Sequence, residues 1–108
     1  MNSGMYPLVV VLPLVLLLSG VICRAAGSGR IGRNLLVGYR LRSLLASDRA
    51  WRAGHAAAEA PSWAGFLVTA ASAVLAVVGA SVFLVLECVA FVLFFGWAIL
   101  NASRAASG

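Results

Sequence analysis

The chain has 108 residues, 63% hydrophobic and 10% charged, with eight basic residues, a net charge of +5 and a mean hydropathy of +1.04. A soluble domain of this size buries only about 60% of the surface its unfolded chain exposes and carries about 25% charged residues, so the excess apolar surface must face lipid. The same figures exclude disordered and collagen-like chains, and one histidine with two cysteines leaves little for a metal site or a disulfide framework.

Charge position divides the chain into three blocks. Met5 to Cys23 carries no charge, Arg24 to Glu59 carries nine charged residues, and Ala60 to Ser103 carries only Glu87. The first block, residues 5–23, predicts one membrane-spanning helix, since its length corresponds to about 28 Å of helix against a hydrocarbon core of about 30 Å. Pro7 falls where a first-turn proline is tolerated, and Pro13, in mid-helix, predicts a kink. No Lys or Arg precedes the run, and Cys23-Arg24 makes a poor cleavage site, so the helix is expected to be retained and not removed as a signal peptide.

The second block, residues 24–61, reads as an arginine-rich loop. Gly27 to Gly32 predicts a flexible exit from the first span. Val37, Leu41, Leu44 and Leu45 share one side at helical spacing, which would lay that segment in the membrane interface. From Ser47 the sequence predicts a capped amphipathic helix: Ser47 as N-cap, Asp48 in the first turn, and Pro61 beyond the end. Trp51, Gly54, His55 and Ala58 share one face, and Arg49, Arg52, Ala56 and Glu59 the other. Asp48 with Arg52, and His55 with Glu59, stand four residues apart and are expected to pair.

The third block, residues 62–100, is too long for a single crossing, at about 58 Å of straight helix. It predicts a hairpin of two spans, 62–78 and 82–100, reversing at Gly79-Ala80-Ser81, followed by a short tail, 101–108. Trp63 and Trp97 then reach the same membrane face, where amphipathic rings settle. Cys23 and Cys88 fall too far apart to bridge and read as small apolar residues. The fold class expected is therefore all-α: an integral membrane protein of three spans in one domain, with a cytoplasmic interfacial helix between the first and second. By the positive-inside rule the arginines place the loop and tail in the cytoplasm and the N-terminus outside.

Between the first two spans the residues form an ordered pattern: Asn34, then Gly38-Tyr39-Arg40, then Ser47-Asp48-Arg49-Ala50-Trp51 and His55. This pattern resembles the SdpI family of bacterial membrane proteins, whose signature is an Asn, a Gly-x-Arg and a Ser-x-x-Ala-Trp helix ending in His or Asn. The chain departs from the family pattern where threonines usually follow the Arg, at Leu41 and Leu44, and where prolines precede the Asn, at Gly32 and Arg33. The resemblance implies a protein of the bacterial cytoplasmic membrane. It also implies a role in toxin immunity, or in signalling by recruiting a partner such as a repressor to the membrane.

Asn34, Arg40 and Trp51 are the residues expected to act, either tying helix ends together or gripping a headgroup, with Gly38, Ser47 and His55 completing the signature set. His55 has no second ligand at metal spacing and reads as a packed or surface histidine. Arg24, Arg30, Arg33, Arg42, Arg49 and Arg52 are expected to contact anionic lipid headgroups. No nucleic-acid motif accompanies the charge. Glu87, the one ionisable residue with an acidic side chain inside a span, is a candidate for proton or cation traffic or for pairing with a partner subunit. No nucleophile with a base, carboxylate pair, phosphate-binding loop or metal cluster is present in the sequence, so no enzyme and no cofactor are expected. The readings carried forward are immunity or signalling through the loop, a small transport or channel subunit using Glu87, and a structural or lipid-binding subunit of a larger complex.

Overall fold

The computed structural model describes residues 3–34, 37–79 and 81–107, and its regular structure is helical. A 3-10 turn over Ser3–Met5 leads into α1 (Tyr6–Gly27); α2 is a single turn (Arg42–Leu45), α3 runs over Asp48–Val78 and α4 over Val82–Ser107. Three of these, α1, α3 and α4, are long and apolar enough to cross a membrane, and the chain is a multi-pass membrane protein. α3 is the central helix, with α4 packed along one side and α1 along another.

The packing rests on small residues that let helices close up. A Cβ on Gly65 would stand 2.6 Å from Phe94 and 3.0 Å from Leu16, so Leu16, Gly65 and Phe94 mark one level of all three long helices. A Cβ on Gly20 would meet the Trp63 ring at 2.8 Å, which fixes the same register between α1 and α3. Gly79 instead caps α3, and a Cβ on Gly96 would meet open space. Leu8, Leu14, Leu18, Leu67, Val74, Val85 and Leu93 are exposed, giving the bundle an apolar outer surface of the kind lipid covers.

The elements depart from the sequence-based expectation in four places. Pro61 does not end a helix: α3 passes through it, so the amphipathic segment and the second span are one helix of 31 residues, and no separate interfacial helix is seen. Pro61 gives the Ala57 carbonyl no amide hydrogen and clashes with an ideal helix. Alanine-rich turns before it and the burial of Pro61 and Ser62 between neighbours keep the helix continuous. The tail is not a loose end either, because α4 continues to Ser107 with Ala102 and Ala106 buried.

The exit from α1 is a built stop and not a flexible one. Gly29, at φ +88, lets the Arg30 amide donate to the Ala25 carbonyl (2.8 Å) and the Gly29 amide to the Ala26 carbonyl (3.2 Å), a Schellman closure. Finally, among the described residues between α1 and α3, the α-helix is Arg42–Leu45: Leu44 is buried and Leu41 and Leu45 pack on the same core, while Val37 remains exposed. These leucines serve the protein interior. α3 ends at Val78 and α4 starts at Val82, on either side of the expected reversal, of which Ala80 lies outside the described residues. Pro13 sits inside an unbroken α1, and Cys23 and Cys88 are free thiols.

Candidate functional site

The signature residues gather where the loop folds back over the beginning of α3. Ser47 adopts extended backbone and its Oγ accepts from the Ala50 amide at 3.0 Å, so it caps α3 as its position suggested. One turn on, Trp51 is 1% exposed and its Nε1 donates to the Ile31 carbonyl at 2.9 Å, pinning the loop to the helix.

His55, fully buried, completes this clamp. Its Nε2 accepts from the Tyr39 amide at 2.9 Å, and since an amide can only donate, the hydrogen of the ring must sit on Nδ1, which donates to the Trp51 carbonyl at 2.8 Å. The ring is thus neutral, with both nitrogens committed, and packs tilted at 49° against Trp51, with 4.2 Å between centroids. It does not pair with Glu59, which accepts from Trp63 Nε1 at 3.0 Å. Gly38 makes the clamp possible: its φ is +104, and a Cβ there would lie 2.7 Å from Trp51 and 2.9 Å from His55 Nε2.

Tyr39 extends the clamp into the bundle as a directed chain of hydroxyls. Ser62 Oγ donates its one hydrogen to the Ala58 carbonyl at 2.8 Å, so at 2.8 Å from Ser19 it must accept. Ser19 therefore spends its hydrogen on Ser62 and accepts from Tyr39 at 2.6 Å. Burial pushes the Tyr39 phenol up from its ordinary value, which keeps it the donor that this order requires. Sequence reading missed Tyr39, Ser19 and Ser62, because single hydroxyls far apart in the chain carry no spacing signal. Beside them a recess of about 210 Å³ opens between Leu18, Ile22 and Phe95, with Tyr39 and Ser19 as its polar edge.

Of the expected trio, Asn34 lies in the loop, Arg40 follows the clamped Tyr39 and Trp51 is the buried anchor. Asn34 builds a local turn, its Nδ2 donating to the Gly32 carbonyl and its Oδ1 accepting from the Val37 amide at 2.7 Å. Arg40 is exposed, and Trp51 is interior. The arginines are exposed at the loop end of the bundle; Arg49 donates to the Ala106 carbonyl in the last turn of α4 at 2.9 Å, and Arg33 pairs with Asp48 at 3.6 Å, where Arg52 was the expected partner. Glu87 lies far from this site along α4, fully buried. No group of three or more His, Cys, Asp or Glu able to hold a metal occurs among the described residues.

The family model of the SdpI/YfhL protein family matches residues 30–101, which is 72 of the 108 residues. The chain belongs to the SdpI/YfhL protein family. The matched stretch starts in the loop and runs through the clamp, α3 and most of α4, leaving all of α1 outside. No curated protein and no solved structure matches the chain. Within this SdpI-type frame, the departures at Leu41 and Leu44 have visible places. Leu41 stands as N-cap of α2 without a side-chain bond, and Leu44 fills the notch at Gly54, where a Cβ would come within 2.6 Å of it.

Proposed function

We propose that this SdpI-type protein is a non-enzymatic component of the bacterial cytoplasmic membrane that acts in toxin immunity, or in membrane-based signalling by holding a protein partner at its loop end. The observation that carries the reading is the overlap of the family match with a loop held to α3 at two points. Trp51 and His55 bind the backbone of Ile31 and Tyr39, so Arg40 directly follows a fixed residue and its side chain is exposed. A guanidinium held this way suits recognition of a carboxylate or phosphate by paired hydrogen bonds. Arg24, Arg30, Arg42 and Arg52, exposed around it, are read as resting on anionic headgroups at about 1 kcal/mol each.

The test is Arg40→Ala in the native host, scored for survival against the toxins of neighbouring strains and for expression of adjacent genes. Protection or regulation should fall at least about tenfold, the loss of roughly 1.4 kcal/mol of recognition, with membrane abundance unchanged. Arg104→Ala removes the same charge from the same end of the bundle and should leave the response intact. Equal losses from both variants would reduce the loop to general electrostatic attachment, and no loss from either would overturn the reading.

A further inference from the structure

Glu87 presents a separate problem. It is 0% exposed, and neither carboxyl oxygen has a hydrogen-bond partner among the described residues. Burying a polar group unpaired is costly and an isolated charge far more so, and such residues inside membrane helices are retained for a ligand, a partner or a proton.

The neighbourhood follows from the register. Leu16, Gly65 and Phe94 share a level. Moving seven residues, close to two turns, along each helix toward the α3–α4 turn brings Val9, Ser72 and Glu87 to a common level on the corresponding faces. Val9 is 1% exposed, and Pro13 supplies no amide hydrogen to its carbonyl. Thr69, the fully buried hydroxyl on this stretch of α3, donates its hydrogen to the Gly65 carbonyl at 2.8 Å, so it offers lone pairs and no donor. The titratable side chains of the facing apolar runs are Tyr6 and Cys23 on α1 and none on α3 from Ser62 to Val78, with Cys88 beside Glu87 on α4 itself. This interior is therefore supplied with oxygen acceptors and lacks any cation.

We propose that Glu87 is a reversible binding site for a small monovalent cation, a proton or an alkali ion, entered from the end of the bundle that carries the α3–α4 turn. Either ion neutralises the carboxylate in place, and the proton does so by forming one O–H bond with no other change. Entry from that end is short, since Glu87 stands five residues into α4, about 7.5 Å along its axis. The site is independent of Arg40 and the loop, and its failure leaves the immunity reading untouched.

The test uses the full chain in liposomes and dicyclohexylcarbodiimide, which adds to a buried carboxyl only when that carboxyl carries a proton. Mass spectrometry should find the adduct on the peptide containing Glu87, absent in E87Q and retained in E87D. A proton site loses labelling by about tenfold per pH unit on its alkaline side, whatever the salt. An alkali-ion site is protected when sodium or potassium chloride replaces choline chloride at constant pH. Folding of each variant is checked by its helical circular dichroism in the same liposomes. Absence of the adduct in folded wild-type protein, or labelling indifferent to both pH and alkali ions, overturns the proposal.

Discussion

At the scale of single residues, Gly38 decides whether the loop has a fixed shape. Its positive φ is a conformation that L side chains adopt at a cost of about 1 to 3 kcal/mol, and a Cβ at 2.7 Å from the buried Trp51 ring adds a clash that a packed interior relieves poorly. Gly38→Ala should therefore destabilise the protein by about 2 kcal/mol or more, read as a lower thermal unfolding midpoint in detergent by tryptophan fluorescence. A variant as stable as the parent would mean that Trp51 and His55 do not hold the loop as described. The sequence showed the identity of these residues but not their use. Trp51 and His55 stand four apart and so share a face, which is readable; that this face receives the loop backbone depends on contacts across 16 and 20 residues, between His55 and Tyr39 and between Trp51 and Ile31, which no local pattern encodes. Asn34 holds two backbone groups close to it in sequence, at Gly32 and Val37, a use that its identity alone does not reveal.

At the scale of elements, boundaries set by local chemistry are legible in the sequence and those set by packing are not. Ser47 followed by Asp48 marks the start of α3 because an N-cap is a local chemical event, one hydroxyl accepting from one amide three residues on. Ser47→Ala should cost about 1 kcal/mol, seen as a reduced denaturation midpoint in mixed detergent micelles. Since Ser47 sits between α2 and α3, the same variant should loosen the Leu44 contact at Gly54, and hydrogen exchange at residues 48–51 should rise; unchanged exchange there would show that the cap contributes nothing. Pro61 misled for the opposite reason. A proline forbids one backbone bond, and a helix end follows only if packing fails to hold the two halves in line, whereas here Gly20 seats Trp63 immediately after it and Ser62 is tied to Ser19. The tail is similar: Ala102 and Ala106 lack any strong local signal, yet the notch at Gly54 and the Arg49 bond to Ala106 extend α4 to Ser107. That arginine also places positive charge at a helix C-terminus, where the helix dipole favours it.

At the scale of the whole molecule, the up-down-up course of α1, α3 and α4 turns a sequence pattern into a polarity. The C-terminus of α1, the loop, the N-terminus of α3 and the C-terminus of α4 share one end and carry all eight arginines, while the other end, with the start of α1 and the α3–α4 turn, carries no charged side chain. Inserting with the arginine end retained in the cytoplasm avoids carrying those charges through the hydrocarbon, each costing about 2.5 to 3.5 kcal/mol at the membrane centre. Single cysteines at Gly32, Ser81 and Ser107 test this orientation, since all three positions are exposed and a Cβ on Gly32 meets nothing within 4 Å. The native thiols provide the background: Cys23 is buried, and Cys88 lies within the apolar run of α4. In intact cells a membrane-impermeant maleimide should label Ser81→Cys, and label Gly32→Cys and Ser107→Cys only after permeabilisation. The reverse pattern would place Arg40 outside the cell, ending its role in recruiting a cytoplasmic partner, and would turn the Glu87 entry toward the cytoplasm. Labelling of both ends in intact cells would mean dual insertion, which a charge difference this one-sided argues against.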